Sequence, residues 1–355
     1  ASRGIRPTAF TMGFEDREKD ESDQAAEIAR YLGLDHRVQI VRESDALAAA
    51  KACVAYMDEP FADQSLIPTW MLAEMAGQEV KVCLSGDGGD ELFGGYKKYA
   101  MFARLHDRLS RLPQWLRSAL VRLAPPDNLS VLRAWPHNFH GQRAFKALRG
   151  ADGLPSLGRM ALTRSPLVNR FLNADARSSA ARAQGGYPTE ATFQAISRLS
   201  GMMDTGGMLQ LLDQATYLAD DILRKTDRAS MAHSLEVRNP LLDRQVVGIA
   251  WRQHNHPLEV PKAPLRRLLG DFVPESLWNR PKKGFSPPMA QWLRGGLSEW
   301  AEARLEQVVH DHQGLLNGRA IRREWQHGQR KGMSNMQAQE FWTLIMLSCL
   351  PRGNA

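Results

Sequence analysis

The chain has 355 residues, of which 43% are hydrophobic, and a formal net charge of +7. This length allows a substantial hydrophobic core and predicts two packed units rather than one. No run of residues approaches the ~20 consecutive apolar residues of a membrane span, and the opening residues lack the apolar core of a secretion signal. We therefore expect a soluble, cytoplasmic protein without a membrane partner.

The three cysteines, Cys53, Cys83 and Cys349, lie far apart in the sequence and in apolar surroundings. This pattern is typical of buried thiols and not of a disulfide framework or a zinc knuckle. Cysteine usage therefore argues against the disulfide-rich and zinc-binding classes of protein.

The first hundred residues alternate predicted strands with predicted helices. Strands that are separated by helices predict an α/β fold with a doubly wound, mostly parallel sheet. Ligands of such sheets lie beyond the carboxyl ends of the strands. In chain order, the predicted strands cover 7–14, 35–41 and 80–86, and the predicted helices cover 21–33, about 44–57 and about 65–76.

Strand signals fade after residue 100, where amphipathic helical segments take over. We predict an α/β nucleotide-binding core over 1–100 and a largely helical part over 101–355 that completes the site. Arginines are concentrated in 103–150. A solvated helical face explains them, and the alternative is a surface for a polyanion such as tRNA. Since no nucleic-acid motif is present, we expect no nucleic-acid partner.

The stretch "SGDGGDELFGGYKKY" (85–99) directly follows the apolar run "VKVCL". A strand that leads through a glycine-dense turn into a helix presents backbone N–H groups to an anion. Here Ser85 and Gly86 would allow a nucleotide to approach the backbone closely. The alternative is a turn that only caps the helix.

Three carboxylates in the same turn, Asp87, Asp90 and Glu91, would repel a polyphosphate unless a cation lay between them. Mg²⁺ fits this position because it binds one or two carboxylates together with phosphate oxygens. We expect Asp90 to hold the metal and Asp87 to face the reacting centre. Glu91 would act as a favourable charge at the helix N-terminus.

Four blocks in the same order along the chain carry a resemblance to a known family. The chain resembles the C-terminal synthetase domain of the glutamine-hydrolysing asparagine synthetase family. This resemblance implies a fold of the ATP-pyrophosphatase (adenine nucleotide α-hydrolase-like) type. It also implies activation of a carboxylate as an acyl-adenylate, which ammonia then attacks. The blocks are "LSGDGGDELFGGY" (84–96), "DEPFADQSLIPTWML" (58–72), "YLADDILRKTDRASMAHSLEVRNPLLD" (217–243) and "PESLWNRPKKGFS" (274–286).

The resemblance assigns a nucleotide site and a catalytic centre. Met12 would contact adenine, and Ser85 with Gly86 would hold ATP. Asp90 would hold Mg²⁺ and pyrophosphate.

Asp87 stands where the family has an acidic residue needed for forming the acyl-adenylate, and Lys282 stands where it has a catalytic lysine. The Pro-rich segment 280–288 reads as a loop, and a loop lysine can stabilise charge that develops on the phosphates when the loop closes. The alternative for Lys282 is an ordinary solvated charge.

Tyr96 and Glu236 are weaker candidates, because some relatives that attack with an amine use a Tyr and a Glu at matching places. For Glu236 the alternative is an ion pair with an arginine such as Arg228 or Arg238, and we rank this alternative first.

Two departures from the family limit what the chain can do by itself. The pyrophosphate loop S-G-G-x-D-S and the glutaminase domain would both precede residue 1. We therefore expect a fragment that lacks its first strand and that loop, binds ATP poorly and turns over little alone.

The second departure is Asp87, since asparagine synthetases proper tend to have Glu there. The acceptor, aspartate or another carboxylate such as a sugar acid, stays open, as does the nitrogen donor, glutamine or free ammonia. The sequence is compatible with a homo-oligomer. The alternative functions are a tRNA-modifying ATP-pyrophosphatase and a non-catalytic binding module on the same fold.

Overall fold

The structure is a computed structural model that describes residues 6–113, 115, 171–173, 198–199, 203–252, 260–279 and 285–350. Its N-terminal elements follow the predicted alternation of strands and helices. They are β1 (Thr8–Phe14), α1 (Ser22–Leu32), β2 (Asp35–Val41), α2 (Glu43–Tyr56), α3 (Leu66–Glu79), β3 (Val82–Leu84), α4 (Gly89–Leu92) and α5 (Lys97–Ser110). Most of the arginine-rich stretch and Lys282 lie outside the described residues.

The C-terminal part is mainly helical where the structure describes it, as predicted. None of the described helices is long and apolar enough to cross a membrane. The α-helices are α6 (Thr205–Asp213), α7 (Arg224–Met231), α8 (Arg244–Arg252), α9 (Ala263–Gly270), α10 (Glu275–Trp278), α11 (Met289–Trp292), α12 (Ser298–Asp311), α13 (Gly318–Lys331) and α14 (Asn335–Met346). A π-helix (Gln214–Leu223), the strand β4 (Glu236–Arg238) and two 3₁₀ helices (Pro240–Leu242 and Leu347–Cys349) complete the set.

The described strands form two small parallel sheets and not the one doubly wound sheet that we predicted. β1 pairs with β2 over seven residues, from Thr8 opposite Asp35 to Phe14 opposite Val41. β3 pairs with β4 over three residues, from Val82 opposite Glu236 to Leu84 opposite Arg238. Among the described strands, β1 and β3 each have one partner only. The parallel, α/β character of the fold is therefore confirmed, whereas the continuity of the sheet is not.

Local sequence signals explain the end of α1 and the start of α14. α1 ends at Gly33, whose φ of 67° is a left-handed conformation that glycine adopts without strain. α14 begins with a capping box, in which the Ser334 hydroxyl accepts from the backbone N–H of Gln337 and the Gln337 side chain accepts from the N–H of Ser334.

One hydrophobic cluster joins the two parts of the chain. α3 packs against both β1 and α7. Ile67 of α3 and Trp342 of α14 are fully buried within this cluster, which also contains Trp325. Burial of large apolar side chains from both parts is the main favourable contribution to their association.

The three cysteines are free thiols, so the expectation of no disulfide is confirmed. Cys53 lies in the core, and burial raises the pKa of its thiol. Cys83 and Cys349 are only half-buried, which corrects the expectation that all three are buried.

Candidate active site

A cavity of about 1730 Å³ lies between β1 and β3. Thr8, Ala9 and Phe10 line it from β1, and residues of α3, α7 and α9 close the other sides. The cavity brings together five of the residues that the sequence pointed to. They are Ser85, Gly86, Asp87, Asp90 and Tyr96.

The turn after β3 is built by local backbone geometry. The N–H of Ser85 donates to the carbonyl of Arg238 at 2.9 Å, which extends the pairing of β3 with β4 by one residue. Gly88 has a φ of 86°, and a Cβ there would lie 2.8 Å from Leu242 Cγ. Only glycine fits both constraints without strain. The turn therefore leads from β3 into α4 and places Asp87 and Asp90 at the cavity.

Asp90 is paired with a lysine that sequence reasoning missed. Lys262 Nζ lies 3.1 Å from Asp90 Oδ2, and the N–H of Lys262 donates to the carbonyl of Phe93 at 3.0 Å. Arg266, one turn further along α9, also lines the cavity, and its guanidinium lies 5.5 Å from the centroid of the Trp278 ring. Two basic residues spaced four apart in "KAPLRR" were the available sequence signal.

Gly95 has no side chain, and the Asp90–Lys262 ion pair occupies the space that a side chain there would fill. A Cβ on Gly95 would collide with the Asp90 carboxylate and lie 2.6 Å from Lys262 Cε. We expect Gly95→Ala to lower the free energy of unfolding by about 1–3 kcal/mol, since overpacking a tight site costs about that much. Urea denaturation measures this change.

Gly86→Ala is the matched control, because nothing lies within 4 Å of a Cβ at that position. Its free energy of unfolding should stay within about 0.5 kcal/mol of the wild type. Equal effects of the two substitutions would contradict the steric account of Gly95.

Glu91 is buried, whereas the sequence predicted only a favourable charge at a helix N-terminus. It lies in the first turn of α4 as expected, but it is only 1% exposed. Burial raises the pKa of its carboxyl, and the Tyr96 hydroxyl donates to its Oε1 at 2.6 Å. The Gln210 and Gln214 side-chain amides donate to its backbone carbonyl. Glu91 therefore ties the turn to α6 and to the π-helix.

A second buried network supports the same wall of the cavity. The Tyr99 hydroxyl donates to Asp213 Oδ2 at 2.6 Å, and Lys98 Nζ lies 2.6 Å from the same oxygen. Lys98 also lies 5.1 Å from the centroid of the Tyr96 ring and 5.2 Å from that of Tyr217. Tyr96 and Tyr217 both face the cavity, so this network fixes aromatic surfaces at its edge.

A largely buried ion pair links α7 to the residues just before α3. Lys225 Nζ lies 2.6 Å from Asp63 Oδ2 and donates to the Ser65 hydroxyl at 2.7 Å. Burial by itself raises the pKa of Asp63, but the Lys225 charge and the hydrogen bonds from Lys225 and Ser65 outweigh it and lower this pKa well below its usual range. Asp63 and Lys225 both lie in the sequence blocks that indicated the family, but the sequence did not predict that they pair.

Two predicted residues lie away from the cavity, and a third is not among the described residues. Met12 is buried in the hydrophobic cluster and does not line the cavity. Glu236 is exposed on β4 and pairs with Arg238 at 2.8 Å, which is the ion-pair alternative we ranked first. Lys282 lies outside the described residues, although Phe285 and Ser286 shortly after it line the cavity.

Together these features define an α/β protein in which a glycine-rich turn, two carboxylates, Lys262 and Arg266 share one cavity. The chain belongs to the asparagine synthase family, whose family model matches residues 3–350. The resemblance drawn from the four sequence blocks is thereby confirmed.

Two curated relatives illustrate the similarity. A protein of Mycobacterium tuberculosis named putative asparagine synthetase [glutamine-hydrolyzing] is 32% identical over 353 residues, which are 96% of this chain and 50% of the relative. Asparagine synthetase [glutamine-hydrolyzing] 1 of Bacillus subtilis is 28% identical over 312 residues, which are 85% of this chain and 46% of the relative. The chain therefore spans about half the length of these relatives.

Proposed function

We propose that this chain is the synthetase part of an enzyme that forms an amide in an ATP-dependent reaction. A carboxylate, aspartate or a related acid, is activated as an acyl-adenylate and then attacked by ammonia derived from glutamine. The observation that carries the proposal is the single cavity that contains the Ser85–Gly86 turn, Asp87, and Asp90 paired with Lys262. Membership of the asparagine synthase family supports the same reaction class.

The basic residues of the cavity suit a polyphosphate. Lys262, just before α9, and Arg266, one turn further along, both line the cavity together with Ser85 and Gly86. Adenylation develops negative charge on the α-phosphate and on the departing pyrophosphate, which fixed cations stabilise. The contact of Met12 with adenine stays a prediction, because its side chain is buried in the core and Met12 does not line the cavity.

The carboxylates are compatible with Mg²⁺ bound jointly by protein and nucleotide. Among the described residues there is no cluster of three His, Cys, Asp or Glu side chains that could hold a metal by themselves. Mg²⁺ at phosphate sites usually takes only one or two carboxylates, and Asp90 would supply one of them. When bound, the ion neutralises phosphate charge. Lys262 would then exchange Asp90 for a phosphate oxygen.

Asp87 and Lys282 would act at the reacting centre. The acceptor carboxylate attacks the α-phosphorus and pyrophosphate leaves. Ammonia then attacks the acyl carbon, AMP leaves, and the nitrogen loses a proton. Support for Lys282 comes from Phe285 and Ser286, which follow it closely in the chain and line the cavity.

The space between β1 and β3 would receive the strand and phosphate loop that the resemblance predicts. Both strands line the cavity, and Leu84 of β3 is 73% exposed. A strand in this space would pair with the edges of β1 and β3 that have no partner among the described strands, and it would join the two sheets into one. The 355-residue chain by itself would then bind ATP weakly, because the phosphate loop is not among its residues.

The test compares this chain with a longer protein that carries the S-G-G-x-D-S loop and a glutaminase domain. We expect the longer protein to form AMP and pyrophosphate from ATP only when an acceptor carboxylate is present, and to form the amide with glutamine. Aspartate and a panel of sugar acids serve as acceptors. ATP binding without AMP formation would contradict the proposal and indicate a binding module. AMP formation that depends on tRNA would indicate the nucleic-acid alternative.

A further inference from the structure

Within the described part of the chain, one oxygen of the Asp87 carboxylate has a hydrogen-bond donor. The Thr226 hydroxyl donates to Asp87 Oδ2 at 3.2 Å. Among the residues that the structure describes, no hydrogen-bond donor reaches the other carboxylate oxygen, and Asp87 lines the cavity. An aspartate carboxylate otherwise rotates easily about its last side-chain bond, so a single donor decides its orientation.

Contacts of the neighbouring residue, Lys225, hold Thr226 in position. Thr226 follows Lys225, whose ammonium is held by Asp63 and Ser65 just before α3. The first turn of α7 is thereby anchored to the part of the chain that carries the turn. As a β-branched residue in a helix, threonine has few side-chain conformations, which limits where its hydroxyl can point.

We propose that Thr226 is a positioning residue for Asp87. Its hydroxyl fixes Oδ2 and leaves the other oxygen available to the substrate. Thr226 touches no reacting atom in this scheme and acts only through Asp87. The inference rests on the proposed function, in which Asp87 acts at the reacting centre, and it adds a residue that neither the motif nor the resemblance indicated.

Two substitutions separate positioning from a structural role. Thr226→Val keeps the shape of the side chain and removes the donor, whereas Thr226→Ser keeps the donor. In the longer, active protein we expect Thr226→Val to lower kcat by on the order of 10-fold, below the ~10²-fold that a ~1 Å misplacement can cost. KM for ATP should change less than about twofold, and Thr226→Ser should restore most of kcat.

Thr343→Val is the matched control, because the Thr343 hydroxyl donates to a carbonyl within α14. This variant should keep the wild-type kcat. If Thr226→Val and Thr226→Ser both retain the wild-type kcat, or lose it equally, the positioning role is wrong.

Amide hydrogen exchange provides a readout that needs no catalysis. In the 355-residue chain, Thr226→Val should speed exchange of the amides of residues 86–89, and Thr226→Ser should leave it unchanged. Unchanged exchange in both variants would overturn the proposal. If exchange responds as expected but the longer wild-type protein forms no acceptor-dependent AMP, the contact is supported and the proposed function is wrong.

Discussion

Replacing Asp90 with asparagine is expected to lower acceptor-dependent AMP formation by at least ~10²-fold in the longer, active protein. Removing one preorganised electrostatic contact at a reacting centre typically costs about that much. Asparagine keeps the size of the side chain but removes the charge that would bind Mg²⁺ and that now pairs with Lys262. The measurement is the rate of pyrophosphate release at saturating ATP, with Mg²⁺ varied.

Asp35→Asn is the control for the loss of one carboxylate. Asp35 forms a solvent-exposed pair with Arg6 at 3.2 Å and does not line the cavity. Its loss should change the rate less than about twofold, as expected for a surface pair. An Asp90→Asn variant that keeps half or more of the wild-type rate would contradict the assignment of Asp90.

The double variant Asp90→Asn with Lys262→Met tests whether Asp90 only neutralises Lys262. If that were its role, removing both charges would restore activity. We expect the double variant to be as stable as the wild type but its activity to stay low, because the site would still lack the carboxylate that binds Mg²⁺. Urea denaturation and pyrophosphate release measured on the same samples distinguish these outcomes.

Lys225→Met is expected to lower the free energy of unfolding by about 3–5 kcal/mol at pH 7, the range for breaking a buried ion pair. The substitution leaves Asp63, whose side chain is 16% exposed, without its countercharge. Methionine fills a similar volume, so the loss reports on charge more than on packing. Urea denaturation of the 355-residue chain measures it.

Arg322→Met provides the comparison at the surface. Arg322 pairs with Glu306 at 2.7 Å, but both side chains are 48% exposed. Exposed pairs contribute only about 0–1 kcal/mol because water screens them, so this variant should unfold nearly as the wild type does. Equal losses in the two variants would contradict a special role for the buried pair.

The effect of Lys225→Met should depend on pH. The pKa of Asp63 is lowered in the folded state, so its contribution to stability is present above the unfolded pKa of about 3.9 and is lost as the pH falls below it. In the variant, Asp63 lacks the Lys225 countercharge. Protonation of Asp63 at low pH removes the uncompensated charge and so relieves the destabilisation of the folded variant. The stability difference between wild type and variant should therefore narrow as the pH falls from 7 toward 3. A constant difference would rule out the ion-pair explanation.

Much of the local structure followed from the sequence. The alternating strands and helices of the first hundred residues, the Gly33 helix end and the glycine-rich turn are set by hydrophobic periodicity and by backbone conformations that glycine alone adopts easily. The short strand β4 escaped detection because three residues give no periodic signal. The sequence blocks also pointed to the correct family.

The predicted site residues that line the cavity are near one another in the chain. Ser85, Gly86, Asp87, Asp90 and Tyr96 belong to one turn and its helix, so a motif could identify them together. Glu91 belongs to the same motif, yet its burial depends on glutamines from α6 and the π-helix. A charge pattern alone cannot tell a solvated carboxylate from a buried one.

The sequence by itself determined the elements, the turn and the family of this protein. The tertiary structure alone decided that Lys262 pairs with Asp90, that Lys225 pairs with Asp63 across 162 positions, and that Thr226 reaches Asp87. It also separated Glu236 from the cavity. The physical reason is that turns and helix ends depend on a few neighbouring residues, whereas pairs between distant segments form only where packing of the whole core brings them together.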